Sequence, residues 1–248
     1  PAGFVLTLAL RNVDHDWLAP FARGLGEDAE RFGCPLLGGD TVSTPGPMMI
    51  SVTAFGRVPP GKMAPRGGAK PGDRLVVSGT IGDAMLGLDV LKGGRAAAAF
   101  ADNGEAREML VGRYRVPQPR TALALAVREY ATACMDVSDG LAGDLAKLCA
   151  ASGVTAVVDA PSIPLSGAAA SAVASGGVGI AALVSGGDDY EILCAIPENQ
   201  FLAFAKAAEA AQVAISPIGT IIAGASAPRF LDGQGRDIPL PRLSFSHF

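Results

Sequence analysis

The chain has 248 residues, with 20 Lys plus Arg against 24 Asp plus Glu and a formal net charge of −4, so it lacks the basic excess that binding a phosphate backbone requires and no nucleic-acid partner is expected. Apolar residues make up 49% of it, yet the longest apolar runs, such as 4–10 and 123–127, fall far short of the ~20 residues that span a bilayer; the hydropathy belongs to a core, and no membrane partner is expected. With only His15 and His247, a three-histidine zinc site or a Ser-His-Asp triad has little material, and metal chemistry would have to lean on carboxylates. The four cysteines (Cys34, Cys134, Cys149, Cys194) stand far apart with no CxxC pair, each in or beside an apolar run, which suits buried reduced thiols and a cytoplasmic location. The chain starts at Pro1 without an initiator Met or signal-peptide pattern and is expected to be part of something longer.

In chain order, 4–10 alternates loosely and predicts a strand. Residues 14–32 carry Trp17, Leu18, Phe21, Leu25, Ala29 and Phe32 at helical spacing, with Asp14 as N-cap and Gly33 as stop. A strand is predicted over 48–58. The stretch 59–72, dense in Pro, Gly, Lys and Arg, reads as a linker between domains at 1–58 and 73–248. Beyond it the pattern predicts a strand to 78, helices at 83–91 and 120–131, a strand at 133–137, a helix at 141–151 and strands at 155–159 and 191–196. A helix at 199–211 and a strand at 214–222 complete an α/β or α+β chain. Arg95 to Phe100 is the clearest of several alanine-rich helical stretches.

Two motifs are decoys. Gly56 to Lys62 imitates a P-loop, but Met63 stands where Ser or Thr is needed, and Pro59 and Pro60 lack N–H groups to cradle phosphate. Gly177-Val-Gly179-Ile-Ala-Ala182 imitates a dinucleotide fingerprint without the strand that should precede it and reads as a connecting loop.

Three acidic clusters are flanked by glycine where strands end: Gly38-Gly39-Asp40-Thr41, Asp136-Val-Ser138-Asp139-Gly140, and Ser185-Gly-Gly-Asp188-Asp189-Tyr190-Glu191. Glycine lets backbone approach a ligand closely, and carboxylates at strand ends suit Mg²⁺ bridged to substrate phosphates. Each has a plainer reading. Gly-Gly-Asp makes turns, Ser138 or Asp139 could cap the helix from Leu141, and Asp188-Asp189 could be a solvated strand entry. Asp136 and Asp139, flanking one turn, would repel each other unless a cation lay between them. Arg66, between Pro65 and Gly67-Gly68, could hold phosphate as a bidentate fork or belong to a solvated linker.

Taken in order, LGGDT (37–41), PPGKMAPRGGAKPGD (59–73), SGTIGD (78–83), YRVPQPR (114–120), MDVSDGLAGDL (135–145), SGGDDYEIL (185–193) and FSHF (245–248) resemble the thiamine-monophosphate kinase family, in the superfamily of aminoimidazole ribonucleotide synthetase. The resemblance covers essentially the whole chain. It implies a two-domain fold of that superfamily, here with the amino-terminal domain incomplete at 1–58, and ATP-dependent phosphorylation of thiamine monophosphate to thiamine diphosphate with several Mg²⁺ ions in a homodimer. It matches Asp40, Asp136 and Asp139 to metal ligands, Gly39, Asp40, Arg66 and Ser138 to ATP contacts, and Asp188 and Phe245 to substrate contacts, with no catalytic residue beyond these. Asp188 stands where the family usually has Glu, and Ser244 where it has Gly. The acidic motifs that complete the family's metal site lie upstream of Pro1. Two alternatives remain open at this level: a superfamily member with another phosphate acceptor, and a non-catalytic nucleotide-binding scaffold.

Overall fold

The structure is a computed structural model that describes residues 1–244. Its chain divides into two compact units, Pro1–Met63 and Ala64–Phe248.

The first unit is built on strand β1 (Gly3–Leu10), whose Phe4, Leu6, Leu8 and Leu10 are buried. These alternate residues form one face, and helix α1 (His15–Arg31) lays Trp17, Leu18, Phe21 and Leu25 against it. Asp14 caps α1, its carboxylate accepting from the Asp16 N–H at 3.0 Å. On one side β1 pairs in parallel with β2 (Leu36–Ser43), and on the other antiparallel with β3 (Met49–Phe55). The Gly-Gly-Asp-Thr segment therefore lies inside a strand and does not form the turn that its composition equally allowed. The physical reason is close approach: a Cβ on Gly39 would lie 1.8 Å from the Leu6 carbonyl oxygen.

The second unit holds a six-stranded sheet in the order β5-β7-β4-β8-β6-β9. Its strands are β4 (Arg74–Ser78), β5 (Ala133–Val137), β6 (Val154–Asp159), β7 (Glu191–Ile196), β8 (Ile215–Ala223) and β9 (Arg229–Leu231). Period-two burial explains the layers. Leu75, Val77, Met135, Val137 and Leu193 pack on one face with α5 (Leu141–Ser152), whereas Val76, Cys194 and Ile196 pack on the other with Phe204 and Ala208 of α8 (Phe201–Ala210) and Ala126 of α4 (Ala124–Tyr130). A satellite cluster joins α2 (Asp83–Lys92), α3 (Gly104–Arg115), α6 (Gly167–Ala174) and α7 (Ile180–Val184).

Helix α3 was not predicted, and Arg95–Phe100 is a short 3₁₀ helix where an alanine-rich α-helix was expected. Residues 64–73 are fastened to this unit. Ser152 Oγ accepts from the Gly68 and Ala69 N–H groups, and Gly67 and Gly68 pass so close to Ala151 and Thr132 that a Cβ on either would lie within 2.5 Å of a backbone oxygen.

Candidate functional site

Two of the glycine-flanked acidic segments meet at the ends of neighbouring strands. The chain leaving β5 at 137–139 and the chain entering β7 at 185–190 are stitched by backbone, the Asp188 N–H donating to Ser138 O and the Tyr190 N–H to Val137 O, both at 2.8 Å. Gly187 makes the approach possible, since a Cβ there would stand 2.5 Å from Ser138 O. Asp188 (φ 70°) and Tyr190 (φ 51°) both adopt the left-handed region that side chains other than glycine seldom occupy. Such conformations cost about 1–3 kcal/mol each and concentrate at functional sites.

Three carboxylates converge here. The Tyr190 hydroxyl has its pKa pushed up by burial and by the negative charges of Asp188, Asp136 and Asp139. Ser138, Asp139, Gly187, Asp188 and Tyr190 line a cavity of about 330 Å³ together with Met85, Leu88, Asp89 and Lys92 of α2 and with Arg242. Behind Tyr190 lies a largely apolar cavity of about 400 Å³, lined by Asp136, Cys134, Ile192, Arg120, Val127 and Pro117 among others.

The turn that presents Asp139 is organised by a residue that the sequence did not single out. Asp144, fully buried one turn into α5, accepts from the Ser138 and Asp139 N–H groups at 2.9 Å each. Neither Ser138 nor Asp139 caps α5, whose N-cap position is Gly140 and which has no side-chain cap. Lys147 bridges Asp144 (2.8 Å) and Asp139 (2.5 Å), and these hydrogen bonds raise its pKa. Asp139 thus has a cation beside it already, which answers the repulsion expected between Asp136 and Asp139.

The remaining acids of the 185–191 segment support the loop. Asp189 turns inward and accepts from the Gly82 N–H (2.7 Å) and Ala84 N–H (3.2 Å), capping α2, which walls the first cavity. Burial drives its pKa up to about 7, against the pull of those two N–H groups; Asp83 adds to the rise and Arg113 opposes it. Glu191 is buried and fully partnered. It accepts from Ser78 Oγ at 2.6 Å, Arg113 at 2.9 Å and Arg120 at 2.7 and 2.5 Å, bonds that hold its pKa low despite desolvation. The Pro-rich YRVPQPR segment and the end of α3 are thereby locked to the strand that carries Tyr190.

Of the expected site residues, Asp136, Ser138, Asp139 and Asp188 come together in the second unit. Gly39 and Asp40 lie on β2 of the first unit, where Asp40 is exposed and its carboxylate accepts from the Thr41 N–H at 2.8 Å. Arg66 is exposed on the segment fastened to the second unit. Phe245 lies outside the described residues. Among the described residues no three His, Cys, Asp or Glu side chains form a metal-holding group of their own. Hard oxygen donors offered one or two at a time fit Mg²⁺, which keeps waters and substrate phosphates in its shell and seldom needs an all-protein cage. Tyr190, Asp144, Lys147, Arg113 and Arg120 went unseen; for Lys147, the spacing of i, i+3 from Asp144 was the available signal.

Comparison with known proteins follows the same division. The family model described as AIR synthase related protein, N-terminal domain, matches residues 1–58, and the corresponding C-terminal domain matches 70–229. A thiamine-monophosphate kinase of Caulobacter vibrioides is 44% identical over 92% of this chain and 62% of its own length, and that of Escherichia coli K12 is 34% identical over 100% of this chain and 74% of its own. The crystal structure of thiamine-monophosphate kinase from Stenotrophomonas maltophilia K279a superposes with a TM-score of 0.83 at 34% identity, covering 96% of this chain and 73% of that one. A structure described as AaThiL complexed with AMPPCP and TMP superposes at 0.80 with 25% identity, covering 100% and 74%. The chain thus spans about three fifths of the Caulobacter relative and about three quarters of the others. Its fold, its acidic motifs and these relatives agree that the chain belongs to the AIR synthase related family, among the thiamine-monophosphate kinases.

Proposed function

We propose that the protein containing this chain transfers the γ-phosphoryl group of ATP to thiamine monophosphate, yielding thiamine diphosphate by direct in-line displacement. The observation that carries this reading is that Asp136, Asp139 and Asp188 all bear on Tyr190, with Asp139 and Asp188 lining the same cavity as Lys92 and Asp136 lining the neighbouring one, which Tyr190 shares. One structural relative is described as a complex with AMPPCP and TMP, which fits the same pair of ligands.

Phosphoryl transfer asks little covalent chemistry of a protein; it asks for positioning and for neutralisation of charge on the transferring group. When bound, Mg²⁺ supplies that neutralisation, and Asp40, Asp136 and Asp139 are the residues we assign to hold it. Lys147 holds Asp139 at a fixed position through a 2.5 Å contact. Gly39, Asp40, Arg66 and Ser138 are assigned to ATP, Arg66 as a fork on phosphate oxygens. Asp188 and Phe245 are assigned to thiamine monophosphate, whose cationic thiazolium suits a carboxylate and an aromatic face. No general base is required, because a phosphate monoester is largely ionised near neutral pH. Cytoplasmic location and homodimerisation belong to the same proposal. They are supported by reduced cysteines, by the exposed apolar strands of the first unit, and by the lack, among the described residues, of a helix long and apolar enough to cross a membrane.

The test is ADP release by the full-length protein with thiamine monophosphate and Mg²⁺. Asp136→Asn is expected to abolish turnover while leaving the melting temperature within a few degrees, because Asp136 is exposed. Wild-type turnover by Asp136→Asn at limiting Mg²⁺ would remove Asp136 from the metal site.

A further inference from the structure

Two of the four cysteines are brought face to face by the sheet. Cys134 of β5 and Cys194 of β7 are direct partners in the antiparallel register. The Cys134 N–H points away from β7 and donates to Pro65 O at 2.9 Å, so this is a non-hydrogen-bonded pair of the ladder. In such pairs the Cα atoms are about 4.5 Å apart and the side chains at their closest, inside the 4.4–6.8 Å range over which disulfides form. Interaction with Cys134, together with burial, raises the pKa of the Cys194 thiol above its ordinary value. The two thiols differ in access. Cys194 is 1% exposed beneath α8, whereas Cys134 is half-buried and forms part of the wall of the 400 Å³ cavity, two residues from Asp136 on the same face of β5. The other cysteines have no such neighbour: Cys34 lies in the first unit and Cys149 packs on the opposite face of the sheet.

We propose that Cys134 and Cys194 are a redox-active dithiol that closes to a cross-strand disulfide when a small-molecule disulfide enters the cavity. Cys134 loses its proton and bonds to one sulfur of the reagent, breaking the reagent's S–S bond and releasing the other half as a thiol. Cys194 then loses its proton, bonds to Cys134 Sγ and displaces the second half as a thiol. Two protein thiols are oxidised by two electrons and one disulfide is reduced to two thiols, so the exchange balances without a further reactant. The geometry makes the second step intramolecular, which favours closure over a persistent mixed disulfide.

The experiment treats the full chain with oxidised glutathione, alkylates the remaining thiols under denaturing conditions and weighs the protein. Closure predicts that the count of alkylated cysteines falls from four to two with no glutathione retained, and that dithiothreitol restores it. Proteolytic fragments from the 129–147 and 148–206 regions should remain linked. Because the second fragment also contains Cys149, Cys149→Ala must keep the link, and Cys134→Ser must lose it. A stable glutathione adduct on Cys134, a link that requires Cys149, or four thiols still free in the folded wild-type protein would each overturn the proposal.

Discussion

At the scale of single residues, Asp139 and Asp189 show how one acidic motif divides between presenting charge and keeping the frame. Asp139 shares Lys147 with the buried Asp144, and the two acids should respond differently to loss of charge. The Asp139–Lys147 pair is partly exposed, so Asp139→Asn should change stability by less than about 1 kcal/mol while removing Mg-dependent turnover. Lys147→Met leaves Asp144 without its cation in a fully buried place and should cost about 1–3 kcal/mol, read from urea unfolding. Equal costs for the two variants would contradict this division. Asp189 carries a pH dependence of its own. In an unfolded chain it ionises near 3.8, and in the fold near 7, so between those values the native state holds a proton that the unfolded state has lost. Its contribution is fully present below about pH 4 and is lost as pH rises towards 7, a change on the order of 4 kcal/mol. Glu191, with its lowered pKa, acts in the opposite sense, its contribution fading only as pH falls below about 4.5. Asp189→Asn should therefore flatten the decline of melting temperature between pH 4 and 7; an unchanged slope would show that Asp189 is ionised throughout.

At the scale of elements, the 185–190 loop depends on contacts that a sequence does not display. Gly187→Ala places a methyl 2.5 Å from Ser138 O, where backbone must move, and should cost roughly 1–3 kcal/mol and most of the turnover. The same substitution at Gly61, which has a positive φ but no atom within 4 Å, puts a strained backbone without crowding beside the crowding at Gly187, and it should spare turnover; loss of turnover at Gly61 equal to that at Gly187 would show that crowding against Ser138 O is not what the site depends on. The strands β5 and β7 and the helix α5 were legible because their apolar positions repeat with periods of two and 3.6. The acidic clusters were legible as a group, since three glycine-flanked carboxylate runs stand out against 18% charge. What each acid does was not. Asp188 faces the cavity and Asp189 faces α2 only because the backbone turns through two positive φ values between Gly187 and Glu191. Arg113 and Arg120 reach Glu191 across more than 70 positions of sequence, a distance that periodicity cannot bridge. Gly38-Gly39 misled for a related reason: Gly39 serves a close crossing over Leu6 within a strand, and composition alone reads glycine pairs as turns.

At the scale of the whole molecule, the first unit presents large apolar side chains to solvent on its two outer strands. Leu36 and Leu37 of β2 and Met49, Val52 and Phe55 of β3 are each 48–60% exposed. Large apolar side chains exposed on this scale mark an interaction surface. The chain as it stands should therefore bind a hydrophobic dye and scatter light increasingly with concentration, and Val52→Lys with Leu37→Lys should reduce both. A monodisperse, dye-silent monomer would show that these side chains are tolerated in water.

The order of strands in the second unit also bears on how the chain is made. β4 sits inside the sheet, yet both of its neighbours, β7 and β8, lie beyond residue 190. At about 5–20 residues per second, a ribosome needs roughly 6–23 s to travel from β4 to the start of β7. Throughout that interval Leu75, Val76 and Val77 have helices, but neither of the strands that β4 pairs with, to meet. A nascent chain paused anywhere in α2 to α7 therefore offers an unpaired apolar strand to the cell, which makes this stretch the natural one for chaperones to hold.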